Sequence, residues 1–210
     1  MRRFGLAFVA MVMLGTAAQA QAPGASYENC EKVEIAAIEA AILGAHDLAL
    51  QAAVQVGDTA DYIRWFGPYS RRNAEVLRRN FKSVYSAIRT QTLTGSCLNS
   101  WEDSCKGGTY AFINRGRPFH LNYCPPFFRL PTMLGVSPTD REMENGTQEG
   151  TIIHELSHFE QTANTDDLCY SRSECMAMAL RDPNGALRNA DTYQYFAEDV
   201  ILYANQAAGN

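Results

Sequence analysis

The sequence predicts one mainly helical α+β domain with a small β-hairpin or sheet. Two observations point there. Stretches rich in Ala, Leu, Ile and Glu with helical periodicity occupy both flanks of the chain. Between them, from Gly95 to Pro131, Gly, Pro, Asn and aromatic residues dominate and the periodicity vanishes. Helices, a hairpin, then helices again is the order of an α+β domain rather than of alternating βαβ units.

The first predicted helix runs from Glu31 to Val56, with no internal Pro and Gly only at position 44; it is apolar over most of its circumference and therefore expected to be buried. Gly57-Asp58-Thr59 ends it, and Asp58 or Thr59 can cap a short helix through Trp65. After the Gly67-Pro68 turn, Val76, Leu77, Phe81, Val84, Tyr85 and Ile88 recur at helical spacing from Tyr69 to about Thr90. Arg71, Arg72, Arg78, Arg79 and Lys82 among them read as a solvated face. Thr109 to Ile113 and Phe119 to Tyr123 are β-prone runs around Asn114-Arg115-Gly116-Arg117-Pro118, a hairpin signal. A proline-marked connection leads to Gly146, and helices resume at Thr147–Thr162, Ser173–Arg181 and Thr192–Gln206.

The chain opens with Arg2 and Arg3, an apolar stretch from Phe4 to Leu14, and Ala18-Gln19-Ala20. That is the pattern of an export signal over residues 1–20, too short in its apolar part to span a bilayer. Residues 21–210 then form the single domain, secreted or periplasmic, with no stable membrane association once the signal is cleaved. The formal charge of −5 excludes neither protein nor peptide partners, but a mildly acidic exported chain is a poor nucleic-acid binder. All six cysteines (Cys30, Cys97, Cys105, Cys124, Cys169, Cys175) follow the signal and no C-x-x-C pair occurs, which favours disulfides over a cysteine-rich metal site.

The chemistry concentrates in His154-Glu155-Leu156-Ser157-His158. Residues four apart share a helix face, so His154 and His158 can reach one metal ion while Glu155 faces a water beside it. The chain has 4 histidines, so a chance match to H-E-x-x-H is improbable. A catalytic zinc usually takes three protein ligands, and the third is open. A further histidine at the metzincin spacing is excluded, because Gln161 and Asn164 stand where Gly and His would be needed. His46 and His120 lie in no ligand pattern. Glu174, Glu198, Asp166 and Asp167 remain as carboxylate candidates.

The segment after the motif, Asn164-Thr165-Asp166-Asp167-Leu168-Cys169-Tyr170-Ser171, resembles the aspzincin metallopeptidases, the family of deuterolysin and the peptidyl-Lys metalloendopeptidases. Their pattern after H-E-x-x-H is G-T-x-D-x-x-Y-G. The likeness extends to Tyr27-Glu28-Asn29-Cys30, to Trp65-Phe66-Gly67-Pro68-Tyr69 and to the run Asn189-Ala190-Asp191-Thr192-Tyr193-Gln194-Tyr195-Phe196-Ala197-Glu198. It implies a zincin-like domain holding one Zn²⁺ per chain on His154, His158 and Asp167. Glu155 would be the general base and Tyr170 would assist at the oxyanion. Both pattern glycines are replaced, by Asn164 and Ser171; Asn tolerates left-handed backbone angles. Cys169 and Cys175 are close enough to bridge and pin the ligand turn, and the likeness also implies bridges Cys30–Cys97 and Cys105–Cys124.

The implied activity is that of a zinc endopeptidase acting on a peptide or protein substrate as a monomer, with Lys after the scissile bond as the candidate preference. In Lys-specific members two acids of the N-A-D-x-x-E region recognise the lysine. Asp191 matches the first, but Gln194 replaces the second, which weakens strict preference. Asp191-x-x-Gln194 also reads as a capping box for the last helix. Two other readings use the same motif: a metal-dependent amidase of cell-wall peptides, and an exported zinc-binding domain without catalysis. Glu155 argues against the latter, since a structural site needs no base and is closed by four protein ligands.

Overall fold

The computed structural model describes residues 25–134, 136 and 141–208. The predicted export signal at 1–20 lies outside the described residues. Strand β1 is Ser26–Glu28, followed by helices α1 (Lys32–Gln55), α2 (Ala60–Phe66) and α3 (Arg71–Thr90). Strands β2 (Thr94–Cys97), β3 (Ala111–Ile113) and β4 (His120–Tyr123) come next. Helices α4 (Gln148–Ser157), α5 (Arg172–Arg181), α6 (Pro183–Ala186) and α7 (Ala190–Ala208) complete the chain.

The anticipated hairpin is present: β3 and β4 pair antiparallel with Phe112 opposite Asn122. It is one side of a four-stranded sheet of order β1-β2-β4-β3, in which β1, β2 and β4 run parallel. Nothing in Ser26-Tyr27-Glu28 or Thr94-Gly95-Ser96-Cys97 alternates in hydropathy, so these two strands were not visible in the sequence. Nonlocal pairing forms them, and the Cys30–Cys97 bridge fastens the end of β1 to the end of β2. The expected Cys105–Cys124 bridge ties the loop before β3 to the end of β4.

Helix α1 departs from its expected burial. Ile38, Ala41, Ala45, Leu48, Ala49, Ala52 and Ala53 are buried, while Val33, Leu43, Leu50 and Val54 face outward. The reason is that α3, α4 and α7 all pack on one side of it. Helix α3 behaves as its periodicity predicts, burying Leu77, Phe81, Val84 and Ile88. On its basic face Arg71 pairs with Glu75 at 3.2 Å, and Arg78 donates to the Val56 carbonyl at the end of α1 at 2.7 Å. Thr59 caps α2 through the Tyr62 N–H, as the sequence suggested. Gly67 follows at φ 72°, where an added Cβ would lie 2.5 Å from the Ala179 carbonyl.

Helix α4 is shorter than the predicted Thr147–Thr162. Thr147 caps its start by accepting from the Gly150 N–H at 3.0 Å. Its regular part ends at Ser157, because the Thr162 hydroxyl takes the Leu156 and Phe159 carbonyls and the chain then turns back. Close contact with α7 depends on Gly150: a Cβ there would sit 1.9 Å from Glu198 Oε1.

Helix α7 is enclosed by α1, α2, α4 and α5 and buries Tyr193, Tyr195 and Phe196 against Phe66, Phe81 and Trp65. A charged cluster threads this core. Arg172 donates to Glu198 at 2.7 Å, to Asp199 at 2.6 Å and to the Met143 carbonyl at 2.6 Å. Glu198 also accepts from the Thr147 N–H and hydroxyl at 2.9 and 2.8 Å, and Asp199 from the Trp65 indole at 2.9 Å. The arginine lies 4.8 Å over the Tyr195 ring. Removing one partner of a buried pair strands the other, at about 3–5 kcal/mol. Arg172→Leu is therefore expected to lower unfolding free energy by about that amount, measured by urea denaturation of the metal-free protein.

Candidate active site

His154 and His158 lie one turn apart on the buried side of α4, their rings perpendicular with centroids 4.9 Å apart. Asp167 returns to them on the turn after the helix. Its Oδ1 lies 3.2 Å from His154 Nε2 and 3.4 Å from His158 Nε2, and the three donor atoms all fall within 4.8 Å of one another. Zinc–ligand bonds of about 2.0–2.1 Å in a tetrahedron place neighbouring donors about 3.3 Å apart. The residues present therefore fit a zinc ion.

The outer nitrogens agree with that fit. His158 Nδ1 faces the Thr165 carbonyl at 3.0 Å, and His154 Nδ1 faces Asp191 Oδ1 at 3.7 Å. A proton held on Nδ1 leaves the Nε2 lone pair free, the usual arrangement around a ligating imidazole. Burial disfavours a charged His154, yet Asp191, Asp167 and Glu155 together overcome it and raise its proton affinity well above the ordinary value. Burial, the neighbouring His154 and Arg115 lower that of His158. Burial would raise the Asp167 carboxyl, but the hydrogen bond from His154 and the charges of His154, His158 and Arg115 hold it below its usual range.

Glu155 is buried beside the donors, its Oε1 3.9 Å from His154 Nε2. Burial pushes its carboxyl up to about 7, with His154 opposing and Asp167 and Asp191 adding to the rise. Tyr170 stands at the exposed mouth of the same cleft, where partial burial and the charges of Asp167, Asp191 and Glu155 keep its phenol protonated. The cleft has a volume of about 870 Å³ and runs along edge strand β3, past Phe112, to Asp191 and Gln194.

The other carboxylate candidates for a ligand lie elsewhere. Glu198 is consumed by Arg172 and Thr147. Glu174 accepts from the Tyr170 N–H. Asp166 bonds Arg115, and its backbone pairs with Arg188 and Ala190. His46 packs on Tyr85 beside Asp47, and His120 bonds Thr94 and Ser96 within the sheet. The grouping of Cys30, Glu34 and Cys97 holds no free thiolate, because both sulfurs form a disulfide.

Residues 51–198 match the family model of the aspzincins, described as lysine-specific metallo-endopeptidase. The chain belongs to the aspzincin family. It is 34% identical to an extracellular protease of Aeromonas hydrophila over 82% of this chain and 45% of that protein. It is 32% identical to a peptidyl-Lys metalloendopeptidase of Pleurotus ostreatus over 67% of this chain and 74% of the relative. A zinc peptidase from Grifola frondosa shares the fold, with a TM-score of 0.68 and 25% identity over 81% of this chain and 97% of the solved one. The chain spans about half the length of several curated relatives that it matches.

The two residues that stand at the pattern's glycines take glycine-like backbone angles. Asn164 has φ 51° and Ser171 φ 64°, both in the region glycine prefers. Asn164 is eased by its amide oxygen, which accepts from Arg115 at 2.6 Å. Ser171, at ψ 155°, caps α5 through the Glu174 N–H in a conformation almost reserved for glycine. The Cys169–Cys175 bridge closes over it as expected. Two contributors went unassigned in the sequence. Asn189 accepts from the Leu168 and Cys169 N–H groups at 2.7 and 3.1 Å, and Arg115 reaches across from the hairpin. Asn189 sits inside the quoted Asn189-Ala190-Asp191 run, which was its only signal; Arg115 has none, its partners lying about fifty residues away.

The capping box expected at Asp191 and Gln194 is absent. Helix α7 already begins at Ala190, so Asp191 lies in its first turn, and the Gln194 amide donates to Glu198 at 3.3 Å. Ser171→Gly should relieve about 1–3 kcal/mol of strain while losing a few tenths from the cap. A higher melting temperature is expected for this variant; an unchanged or lower one would show that the serine is unstrained.

Proposed function

We propose that this chain is an exported zinc endopeptidase. The observation that carries the reading is the convergence of His154, His158 and Asp167 on one point, with the buried Glu155 carboxylate alongside. His154 Nε2, His158 Nε2 and Asp167 Oδ1 would hold one Zn²⁺, two neutral imidazoles and one carboxylate leaving the centre cationic. Bound there, the ion would supply Lewis-acid chemistry, acidifying water and polarising a carbonyl.

The chain's own groups do the rest. Strand β3 is the open edge of the sheet and lines the cleft, so its backbone can pair with an extended peptide and hold it across the site. Glu155 Oε1 accepts a proton from the attacking water and returns it to the departing amine nitrogen. Its raised proton affinity suits it to both halves of that exchange. The Tyr170 hydroxyl donates to the oxygen on which negative charge develops. Asp191 holds the Nδ1 side of His154, and Thr165 does the same for His158.

Export is supported by the three bridges that pair every cysteine, since disulfides persist in oxidising compartments. Among the described residues no helix is long and apolar enough to cross a membrane. Residues 1–20 supply the signal in this reading.

The preference for Lys after the scissile bond rests on Asp191. It is 6% exposed, lines the cleft, and its Oδ2 has no hydrogen-bond partner. A substrate ammonium would satisfy it. Gln194 adds no charge, and Glu198 beyond it is neutralised by Arg172. One carboxylate with a single unpaired oxygen supports a graded preference rather than an absolute one.

Glu155→Gln is expected to bind one zinc per chain and to cleave casein at least 10²–10⁴-fold more slowly, whereas Asp167→Ala should lose the metal. Retained zinc in the second variant, or wild-type turnover in the first, would overturn these assignments. Chelation should abolish cleavage by the native protein. In a peptide-library digest we expect Lys enriched about tenfold after the cut, equivalent to ~1.4 kcal/mol. A flat profile at that position would remove Asp191 from specificity.

A further inference from the structure

The hairpin turn between β3 and β4 sends one side chain across to the segment that carries Asp167. Arg115 donates through Nη1 to Asn164 Oδ1 at 2.6 Å, and through Nη2 to the Thr165 carbonyl at 2.5 Å and Asp166 Oδ1 at 3.1 Å. Three consecutive residues thus meet one planar fork. As a surface ion pair, its bond to Asp166 would contribute little stability, because the arginine and Asp166 side chains are 44% and 51% exposed. Its significance lies in what those three acceptors hold.

Each acceptor is coupled to the site. The Thr165 carbonyl also takes the Nδ1 side of His158 at 3.0 Å. Thr165 is fully buried, its N–H bonded to the Ser157 carbonyl at 3.1 Å and its hydroxyl to the Ser157 hydroxyl at 2.6 Å. Asn164 stands at φ 51° where the aspzincin pattern has glycine, and its side-chain oxygen is one of the acceptors. Asp166 is the neighbouring carboxylate that could compete with Asp167. Arg115 holds it outside the donor cluster, and Arg188 lies 4.0 Å from its other oxygen. The far side of the hairpin is anchored on the same region, through the Phe119 ring 5.1 Å from that of Phe159. Arg115 therefore joins the hairpin of the strand proposed to bind substrate to the turn proposed to bind metal.

We propose that Arg115 is a positioning residue for the metal-ligand turn, fixing the Thr165 carbonyl that orients His158 and keeping Asp167 rather than Asp166 in the donor cluster. The inference rests on the ligand assignment above. Lysine could replace it only in part, because an ammonium is a point charge without the planar fork that reaches a side-chain amide and a backbone carbonyl together. In this chain the Asn164 side chain and Arg115 meet directly.

The test uses the full chain as wild type, Arg115→Ala and Arg115→Lys. Zinc affinity is read by competition with a fluorescent chelator, ligand geometry by the visible spectrum of the cobalt-substituted protein, and scaffold stability by urea unfolding of the metal-free protein. Loss of a group that orients a ligand typically weakens metal binding about 10–100-fold. We expect that loss in Arg115→Ala, an altered cobalt spectrum, a nearly unchanged urea midpoint, and only partial recovery in Arg115→Lys. Unchanged zinc affinity with a raised KM would make Arg115 a substrate contact and overturn the proposal. Unchanged zinc affinity with a lowered urea midpoint would make it a simple brace, with the same consequence. If wild type itself takes up no zinc while folding normally, the ligand assignment fails first and the proposal falls with it.

Discussion

The Glu198 carboxylate ties together the three helices that build the site. It accepts the N–H and hydroxyl of Thr147 at the start of α4, the Arg172 guanidinium at the start of α5, and the Gln194 amide within its own helix α7. Helix α4 carries His154, Glu155 and His158; α5 follows directly on the ligand turn; α7 carries Asp191. A buried carboxylate is costly unless its oxygens are fully engaged, and here the engagement sets the phase and depth of all three helices. Gly150 is the complement to this arrangement, since any side chain there would occupy the place of Glu198 Oε1.

The second constraint is the turn from Asn164 to Ser171. Two of its residues adopt backbone angles that favour glycine, and four separate devices hold it. These are the Arg115 fork, the Asn189 amide, the backbone pairing of Asp166 with Arg188 and Ala190, and the Cys169–Cys175 bridge. Backbone strain of this kind persists where the surroundings over-determine a conformation. An irregular turn can then deliver Asp167 to donors on a regular helix with the placement a metal site requires.

Electrostatically the cleft is an acidic pocket around two imidazoles. Asp167, Asp191 and Glu155 crowd His154, and burial denies Asp191 and Glu155 solvent. In the proposed function these acids have distinct duties: Asp167 as metal donor, Asp191 behind His154, and Glu155 left to move a proton. Gln194, in place of a second acid, keeps the far end of the cleft from becoming more negative still.

What the sequence by itself determined is the part that obeys local periodicity. The paired histidines follow from a spacing of four on a helix, and α1, α2, α3, α5 and α7 from apolar recurrence, capping and breaker residues. Family likeness supplied Asp167 and the two long-range disulfides, Cys30–Cys97 and Cys105–Cys124, which spacing alone could not select, whereas Cys169 and Cys175 lie close together in the sequence. Tertiary structure decided the rest. Strands β1 and β2 exist only because parallel partners complete their hydrogen bonds. Helix α4 stops at Ser157 because Thr162 and the returning chain claim its carbonyls, and α1 exposes one side because its neighbours all lie on the other. Asp191 became a partner of His154 rather than a cap. Arg115 entered the site from about fifty residues away. Periodicity records which face of an element is apolar, but not which distant backbone or side chain will arrive to meet it.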